Sequence, residues 1–401
     1  MLPEGLTVAA LNTAFESQAP YIWIRDPKAR CLSEGETGFI FSPSRRKPES
    51  RKPLVYFTAT GASFDPLSGF VTERILGSDY FGEAHFRELV GEDYSGATGT
   101  IDSGLINRAG PSAHLIANYH LAIIPGCSGD VFLGSQEDGP EPSLGLSNVE
   151  RAMRALRRAL TAHVGTLKEL ILAGASSGAI GAVGNSGQAK TIFPEARRRI
   201  LADSAMVFPD EFLPPCLQLI WHQRWNLAPL IESTGCSQCS APNANKGGLY
   251  DAMEHVVSRT PGDLFAFISS AGDSVMRWFF WAGIAAHNRG LTPASRCESP
   301  TSVNDGQSYT QAVTETLERL RQAGGNVRHF LLEHEEGHAY LNKPLNEPRV
   351  GDTTLESWLE TFFKDPGSLP DLPRQLEVDA PQNTSDESAA RGGPLLGAEG
   401  V

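Results

Sequence analysis

Ser176, Asp273 and His338 are residues of the types, and in the chain order, that nucleophilic acyl transfer needs. A serine hydroxyl is a poor nucleophile at neutral pH, so an imidazole must take its proton, and a carboxylate must fix the tautomer of that imidazole and stabilise its charged form. Ser176 lies in Gly174-Ala175-Ser176-Ser177-Gly178, after the apolar run Leu170-Ile171-Leu172-Ala173 and before small residues and glycine. The run is too short for a helix, so the order reads strand, sharp turn, helix, which is how a nucleophile elbow is built. Glycines flank the serine because its strained backbone leaves no room for bulky neighbours, and the following helix aims its first N–H groups at the reacting centre. A lone Gly-x-Ser-x-Gly is weak, because an ordinary glycine turn with an incidental serine looks the same. Asp273 and His338 strengthen it. Each follows a predicted strand (264–268 and 327–332) and a glycine, so all three residues fall at equivalent strand ends.

Other residues compete for these roles. Asp130 and Asp203 also stand at strand ends, but they precede the part of the sheet where the acid belongs, and a turn-capping role explains Asp130 as well. His334 is an alternative base, but it sits barely past its strand, whereas Gly337-His338 offers a turn that can bring the ring inward. His120, beside an apolar strand, reads as a satisfied core histidine. His334-Glu335-Glu336-Gly337-His338 fits the His-Glu-x-x-His pattern of zinc proteases, yet that chemistry needs both histidines on one face of a helix, and Gly337 argues for a loop. Cys236-x-x-Cys239 is half a zinc ribbon with no second pair at ligand spacing. No metal or organic cofactor is expected.

The surrounding elements predict an α/β fold: a mainly parallel central sheet flanked by helices, with a loop or helix insertion over 209–260. Strands are expected at 53–57, 121–124, 170–173, 199–202, 264–268 and 327–332. The run Thr58-Ala59-Thr60-Gly61-Ala62-Ser63 follows the first of them, and its small residues suit a loop whose backbone N–H groups meet a substrate carbonyl. Ser147-x-x-Glu150 reads as a capping box that opens a helix with Val149, Met153, Leu156 and Leu160 on one face. Further helices are expected at 307–322 and 353–363, and turns at 93–100. Residues 1–30 read as an N-terminal extension, 31–365 as the main domain, and the proline- and acid-rich 366–401 as a disordered tail.

Composition bounds the partners. Across 401 residues, 40% are apolar and 20% charged, which suits a globular chain with a sizeable core. A net charge of −13 argues against nucleic acid or an anionic membrane surface. No apolar run approaches the ~20 residues that span a bilayer. Six cysteines allow one to three bridges and hint at an oxidising compartment, while the N-terminus does not read as a secretory signal. Localisation is left open.

Taken together, several segments resemble the pectinacetylesterase family, which includes the Notum carboxylesterases. Gly174-Ala175-Ser176-Ser177-Gly178-Ala179 looks like its elbow. Pro125-Gly126-Cys127-Ser128-Gly129-Asp130-Val131, Leu201-Ala202-Asp203-Ser204, Phe267 to Ser274 and Gly337-His338 are similar to its other segments, in the family's order. Cys31-x-x-x-Gly35 also fits. The resemblance implies an α/β-hydrolase-like serine carboxylesterase with Ser176, Asp273 and His338 as its triad, acting on an acylated small molecule or carbohydrate such as O-acetylated pectin. A lipase-like or Notum-like deacylase and a catalytically weak binding module are the alternatives. The acidic charge gives no support for a polyuronate substrate. The resemblance also implies oxyanion donors at the N–H of Thr60 or Gly61 and of Ser177. Two departures bear on that hole: Ala59-Thr60-Gly61 replaces a glycine run, and Ser177-Gly178-Ala179 replaces Ala-Gly-Gly. A positive φ at Thr60 would strain it.

Overall fold

The computed structural model describes residues 4–17, 20–32, 35–64, 66–75, 81–91, 104–138, 142–204, 206–236, 239, 248–279 and 306–373. The tail expected beyond 373, the turns at 93–100 and Cys297 lie outside them.

Eight strands form one sheet in the order β1-β2-β4-β3-β5-β6-β7-β8. They are β1 (Ile22–Arg30), β2 (Glu36–Ser42), β3 (Pro53–Phe57), β4 (His120–Ile124), β5 (Glu169–Ala175), β6 (Arg197–Asp203), β7 (Leu264–Ser270) and β8 (Val327–Leu332). From β4 to β8 every neighbouring pair is parallel, while β1 pairs antiparallel with β2, and β2 with β4. The molecule is therefore mixed α/β, with a large, mostly parallel central sheet flanked by helices.

The parallel strands carry apolar stretches because helices cover both of their faces, although β6 opens on Arg197, Arg198 and Arg199 and β8 carries Arg328 and His329. Along β3, Val55 and Phe57 point into one apolar layer and Leu54 and Tyr56 into the other; along β5, Leu170 and Leu172 oppose Ile171 and Ala173. The first layer is covered by the helices Gly145–Val164, Ser177–Gly184 and Gly306–Gln322, and the second by Glu83–Val90 and Leu355–Lys364. Each expected strand is present, extended by at most three residues at either end.

Three expectations change. Residues 4–30 belong to the main body: Leu11 and Ala14 of the helix Glu4–Glu16 are buried in the first layer, and β1 is the sheet's edge strand. The capping box at Ser147 does not form. The helix begins at Gly145, Ser147 lies inside it, and its hydroxyl donates back to the Leu144 carbonyl at 3.1 Å. The cap is supplied from elsewhere, by the Asp130 carboxylate accepting the Gly145 N–H at 2.7 Å. Beyond Asp365 the chain stays attached as far as 373, with Leu372 bonded to the backbones of His329 and Leu331 along β8. Among the described residues no helix is long and apolar enough to cross a membrane.

Cys31, just after β1, is bonded to Cys127, just after β4, across 96 residues. Closing so long a loop lowers the entropy of the unfolded chain, an effect worth about 2–4 kcal/mol. The double variant Cys31→Ala/Cys127→Ala should unfold at clearly lower urea concentration, with the loss read as the change in ΔG at zero denaturant. An unchanged midpoint would show that the bridge does not constrain the unfolded ensemble.

Candidate active site

The elbow is a backbone construction. Ser176 ends β5 at φ 56°, ψ −128°, a left-handed conformation that costs a non-glycine residue on the order of 1–3 kcal/mol. It is held by its N–H donating to the Asp203 carbonyl at 2.8 Å and its carbonyl accepting from Ala179 N–H at 2.8 Å. The flanking glycines are explained by space. A Cβ at Gly174 would sit on the Gly178 carbonyl, and a Cβ at Gly178 on the Phe57 carbonyl at the end of β3, both well inside van der Waals contact. The turn thus closes by packing backbone on backbone. Ser177–Gly184 follows at once as a helix, its N-terminus at Ser176.

Asp273 and His338 are brought together from the loops after β7 and β8. The Nδ1–H of His338 donates to Asp273 Oδ2 at 2.8 Å, and the carboxylate is fully buried. Its other oxygen, Oδ1, accepts from the N–H groups of Val275 and Met276 at 3.1 and 2.9 Å. That turn holds the carboxylate and leaves Oδ2 for the ring. With a carboxylate as acceptor, the proton belongs on Nδ1, so Nε2 carries the lone pair a general base needs. No hydrogen bond joins Ser176 Oγ to His338 in this resting geometry; such bonds are often long until substrate arrives. The two loops are stitched to each other, Gly272 N–H to the Glu335 carbonyl at 3.0 Å and Ser274 N–H to that of Glu336 at 3.2 Å. Asp203 and Asp130, the competing carboxylates, make no hydrogen bond to the imidazole and bond to backbone N–H groups and, for Asp203, the Ser204 hydroxyl instead.

The loop after β3 places the expected oxyanion donors unevenly. The positive φ falls at Gly61 (72°), where glycine tolerates it, so Thr60 carries no such strain. The Thr60 N–H, however, is occupied: it donates to Ser177 Oγ at 2.9 Å, and the two hydroxyls stand 3.2 Å apart. Gly61 and Ser177 border the pocket beside Ser176, and among the described residues no acceptor takes either N–H. Of the three expected donors, Gly61 and Ser177 are thus the ones whose N–H groups stay unclaimed among the described residues.

That pocket encloses about 1020 Å³ of empty space, its open mouth included. Besides Ser176 and Ser177 its walls are almost wholly apolar, with Met206, Phe267 and Phe279 near the sheet and Trp221, Leu230 and Met253 facing them. The second group comes from 209–260, which forms the helices Pro215–Trp225, Ala228–Thr234 and Leu249–Arg259 around the cavity. Trp225 ties this region to the oxyanion loop, its indole N–H donating to the Ser63 carbonyl at 2.8 Å.

The remaining candidates resolve structurally. Residues 333–338 form a turn and loop, so the two histidines of the His-Glu-x-x-His pattern do not share a helix face. Cys236 and Cys239 are joined as a disulfide, which removes the thiolates a zinc ribbon would use. His120 is buried, accepting the Ser44 N–H at Nδ1 and donating from Nε2 to the Ser50 carbonyl. Asp130 is a brace: besides Gly145 it accepts the Phe132 N–H at 3.1 Å, holding Val131 and Phe132 at φ 48° and 67°. Such angles are exceptional for a β-branched valine, which lines the pocket here. Sequence reasoning missed Ser204, Ser270 and Tyr56, which grip the loop around His338. Their one visible signal was a polar residue at or near a strand's carboxyl end. No family model matches this sequence, and no curated protein matches it either.

Burial pushes the Asp130 carboxyl up to about 6, against the opposing pull of the Gly145 and Phe132 amides. Because its folded value lies above the unfolded 3.8, the stability it contributes is present below about pH 4 and lost as pH rises through about 6. The unfolding free energy of the wild type relative to Asp130→Asn, followed by urea melts from pH 4 to 8, should therefore fall across that interval and level off above it. A flat difference would contradict the assignment.

Proposed function

We propose that this protein is a serine carboxylesterase of α/β-hydrolase-like architecture. The observation that carries the reading is the buried Asp273–His338 hydrogen bond, on loops at the carboxyl-terminal ends of the parallel strands, where a serine also stands at positive φ on a glycine-packed turn. An acid, a base and a nucleophile at the ends of β7, β8 and β5 follow the chain order Ser, Asp, His of that architecture, and the loop after β3 lies where its second oxyanion donor is found.

In this mechanism Ser176 Oγ attacks the ester carbonyl carbon as His338 Nε2 takes its proton. The negative charge gathers on the carbonyl oxygen, which accepts from the N–H groups of Gly61 and Ser177. His338 then protonates the departing alkoxide, leaving an acyl group on Ser176. Water attacks that acyl-enzyme, giving its proton to His338, and the carboxylic acid and free serine are released. Asp273 keeps Nδ1 protonated and stabilises the imidazolium between these steps.

The pocket favours one branch of this reading. Its apolar walls suit a hydrocarbon acyl chain and offer little to a bare acetyl group or a uronate ring, so the lipase-like or Notum-like deacylase stands ahead of a pectin O-acetylesterase. Each buried methylene is worth about 0.8 kcal/mol, or roughly fourfold in kcat/KM.

A fluorophosphonate probe should label the wild type and not Ser176→Ala, and ester hydrolysis should fall by about 10³-fold or more in Ser176→Ala and His338→Ala. Wild-type protein that neither labels nor cleaves p-nitrophenyl esters sinks the reading and leaves a binding module. Across p-nitrophenyl acetate, butyrate and octanoate, kcat/KM should climb with chain length. Ala252→Phe, which narrows the cavity away from Ser176, should cut the octanoate rate while sparing acetate. A preference for acetate in the wild type would return the polysaccharide branch to the front.

A further inference from the structure

The loop carrying His338 is held by four side chains from three other strands. Ser270, the last residue of β7, donates its hydroxyl to the Gly337 carbonyl at 2.6 Å. Ser204, one residue past β6, accepts the Ala339 N–H at its Oγ at 2.9 Å and donates its own O–H to Asp203 Oδ1 at 2.7 Å. Asp203 Oδ2 accepts the Leu341 N–H at 2.6 Å. Tyr56, on β3, donates to the Asn342 side chain. The residues on both sides of His338 are thereby fixed, and Ala339 is kept at φ 56°, a conformation alanine does not choose by itself. The Asp203 main chain also accepts the Ser176 N–H. One residue therefore touches the nucleophile through its backbone and the base loop through its side chain.

The two carboxylate oxygens of Asp203 accept from different donors, Oδ1 from the Ser204 hydroxyl and Oδ2 from the Leu341 N–H, and an amide, with one accepting oxygen, could take only one of them. A carboxylate here is costly, because Asp203 and Ser204 are fully buried and no lysine or arginine among the described residues pairs with Asp203. The ionisable groups that face it are His338, Asp273, Tyr56 and Tyr340, with Arg277 and Glu336 at the outer edge of the same loops. The phenols are kept neutral by burial. Among the groups that face it directly, the one that gains positive charge is therefore the His338 ring, at the moment it takes the serine proton.

We propose that Asp203 and Ser204 are positioning residues for the base: Ser204 sets the backbone on the C-terminal side of His338, and the Asp203 charge, held next to that backbone through the Leu341 N–H, stabilises its imidazolium together with Asp273. The proposal rests on the esterase reading for its consequence on rate, but its electrostatic part is measurable without turnover. Burial and the Asp273 charge raise the Asp203 carboxyl to about 6 while the Leu341 amide, Ser204 and His338 draw it down, the coupling this role entails.

The test compares Asp203→Asn and Ser204→Ala with the wild type, folded fraction being checked by near-UV circular dichroism. The His338 ring signal, assigned by its loss in His338→Ala, is titrated by NMR. In Asp203→Asn its midpoint should move to lower pH by roughly half a unit to one unit, and the acid limb of kcat/KM for p-nitrophenyl butyrate should move with it. In Ser204→Ala the midpoint should stay while kcat falls about tenfold at unchanged KM. A midpoint unmoved in folded Asp203→Asn overturns the electrostatic role, and an unchanged kcat in Ser204→Ala overturns the positioning role. Should Asp203→Asn fail to fold, the rate of Ser204→Ala decides the proposal. A wild type without esterase activity would defeat the catalytic reading, while the difference in ring titration would still decide whether Asp203 acts on His338.

Discussion

The close packing of Gly174, Gly178 and the Phe57 carbonyl is the constraint on which the site depends. Three adjacent pieces of backbone, the ends of β3 and β5 and the first turn of the helix after Ser176, meet without a single Cβ between them. That contact pulls the helix start down onto the sheet, and the chain can make so sharp a turn only with Ser176 at positive φ. The strain is local, and its cost is met by the ladder on either side, where Ala175 is opposite Asp203 and the Ser176 N–H reaches the Asp203 carbonyl. The same packing brings the loop after β3 alongside Ser177, so one steric condition orients the serine and fixes where oxyanion donors can stand.

How much of this was legible in the sequence follows from what each feature depends on. Strands β3 to β8 were visible because a strand buried on both faces carries an apolar stretch. β1 was not, because Arg25-Asp26-Pro27-Lys28 carries charges and a proline that only an edge strand with one solvated side tolerates. Asp273 and His338 were visible as residue types beyond strand ends. Their hydrogen bond was not, since it depends on how far apart two loops are held. The start of the helix Gly145–Val164 was misplaced because local pattern favoured Ser147 while a distant carboxylate, Asp130, supplied the cap. Tertiary contact overrode local propensity there.

The oxyanion loop shows a finer limit. Sequence placed the donors within Thr60, Gly61 and Ser177 but could not distribute them, because the distribution turns on one hydroxyl rotamer. The Thr60 N–H has the Ser177 hydroxyl as a partner 2.9 Å away. A donor already satisfied stabilises a developing oxyanion less than one held open for it, since its existing bond must be given up first. Under the proposed mechanism Ser177 would therefore shift weight to the N–H of Gly61, whose positive φ a glycine alone adopts cheaply.

The electrostatics of the site run against its surroundings. The cavity walls are apolar, and two buried carboxylates, Asp203 and Asp273, stand near a single imidazole, so the ground state carries more buried negative charge than it can neutralise. Such an arrangement is unfavourable for stability, and under the mechanism proposed above it favours the step that places a positive charge on the ring. The stabilisation appears only once His338 is protonated, and that is the condition for lowering a barrier rather than tightening binding. In the mechanism proposed above, an acyl chain filling the pocket would exclude water from Ser176, which borders it, and this gives a reason for the aromatic and aliphatic wall of 209–260 to be built beside that serine.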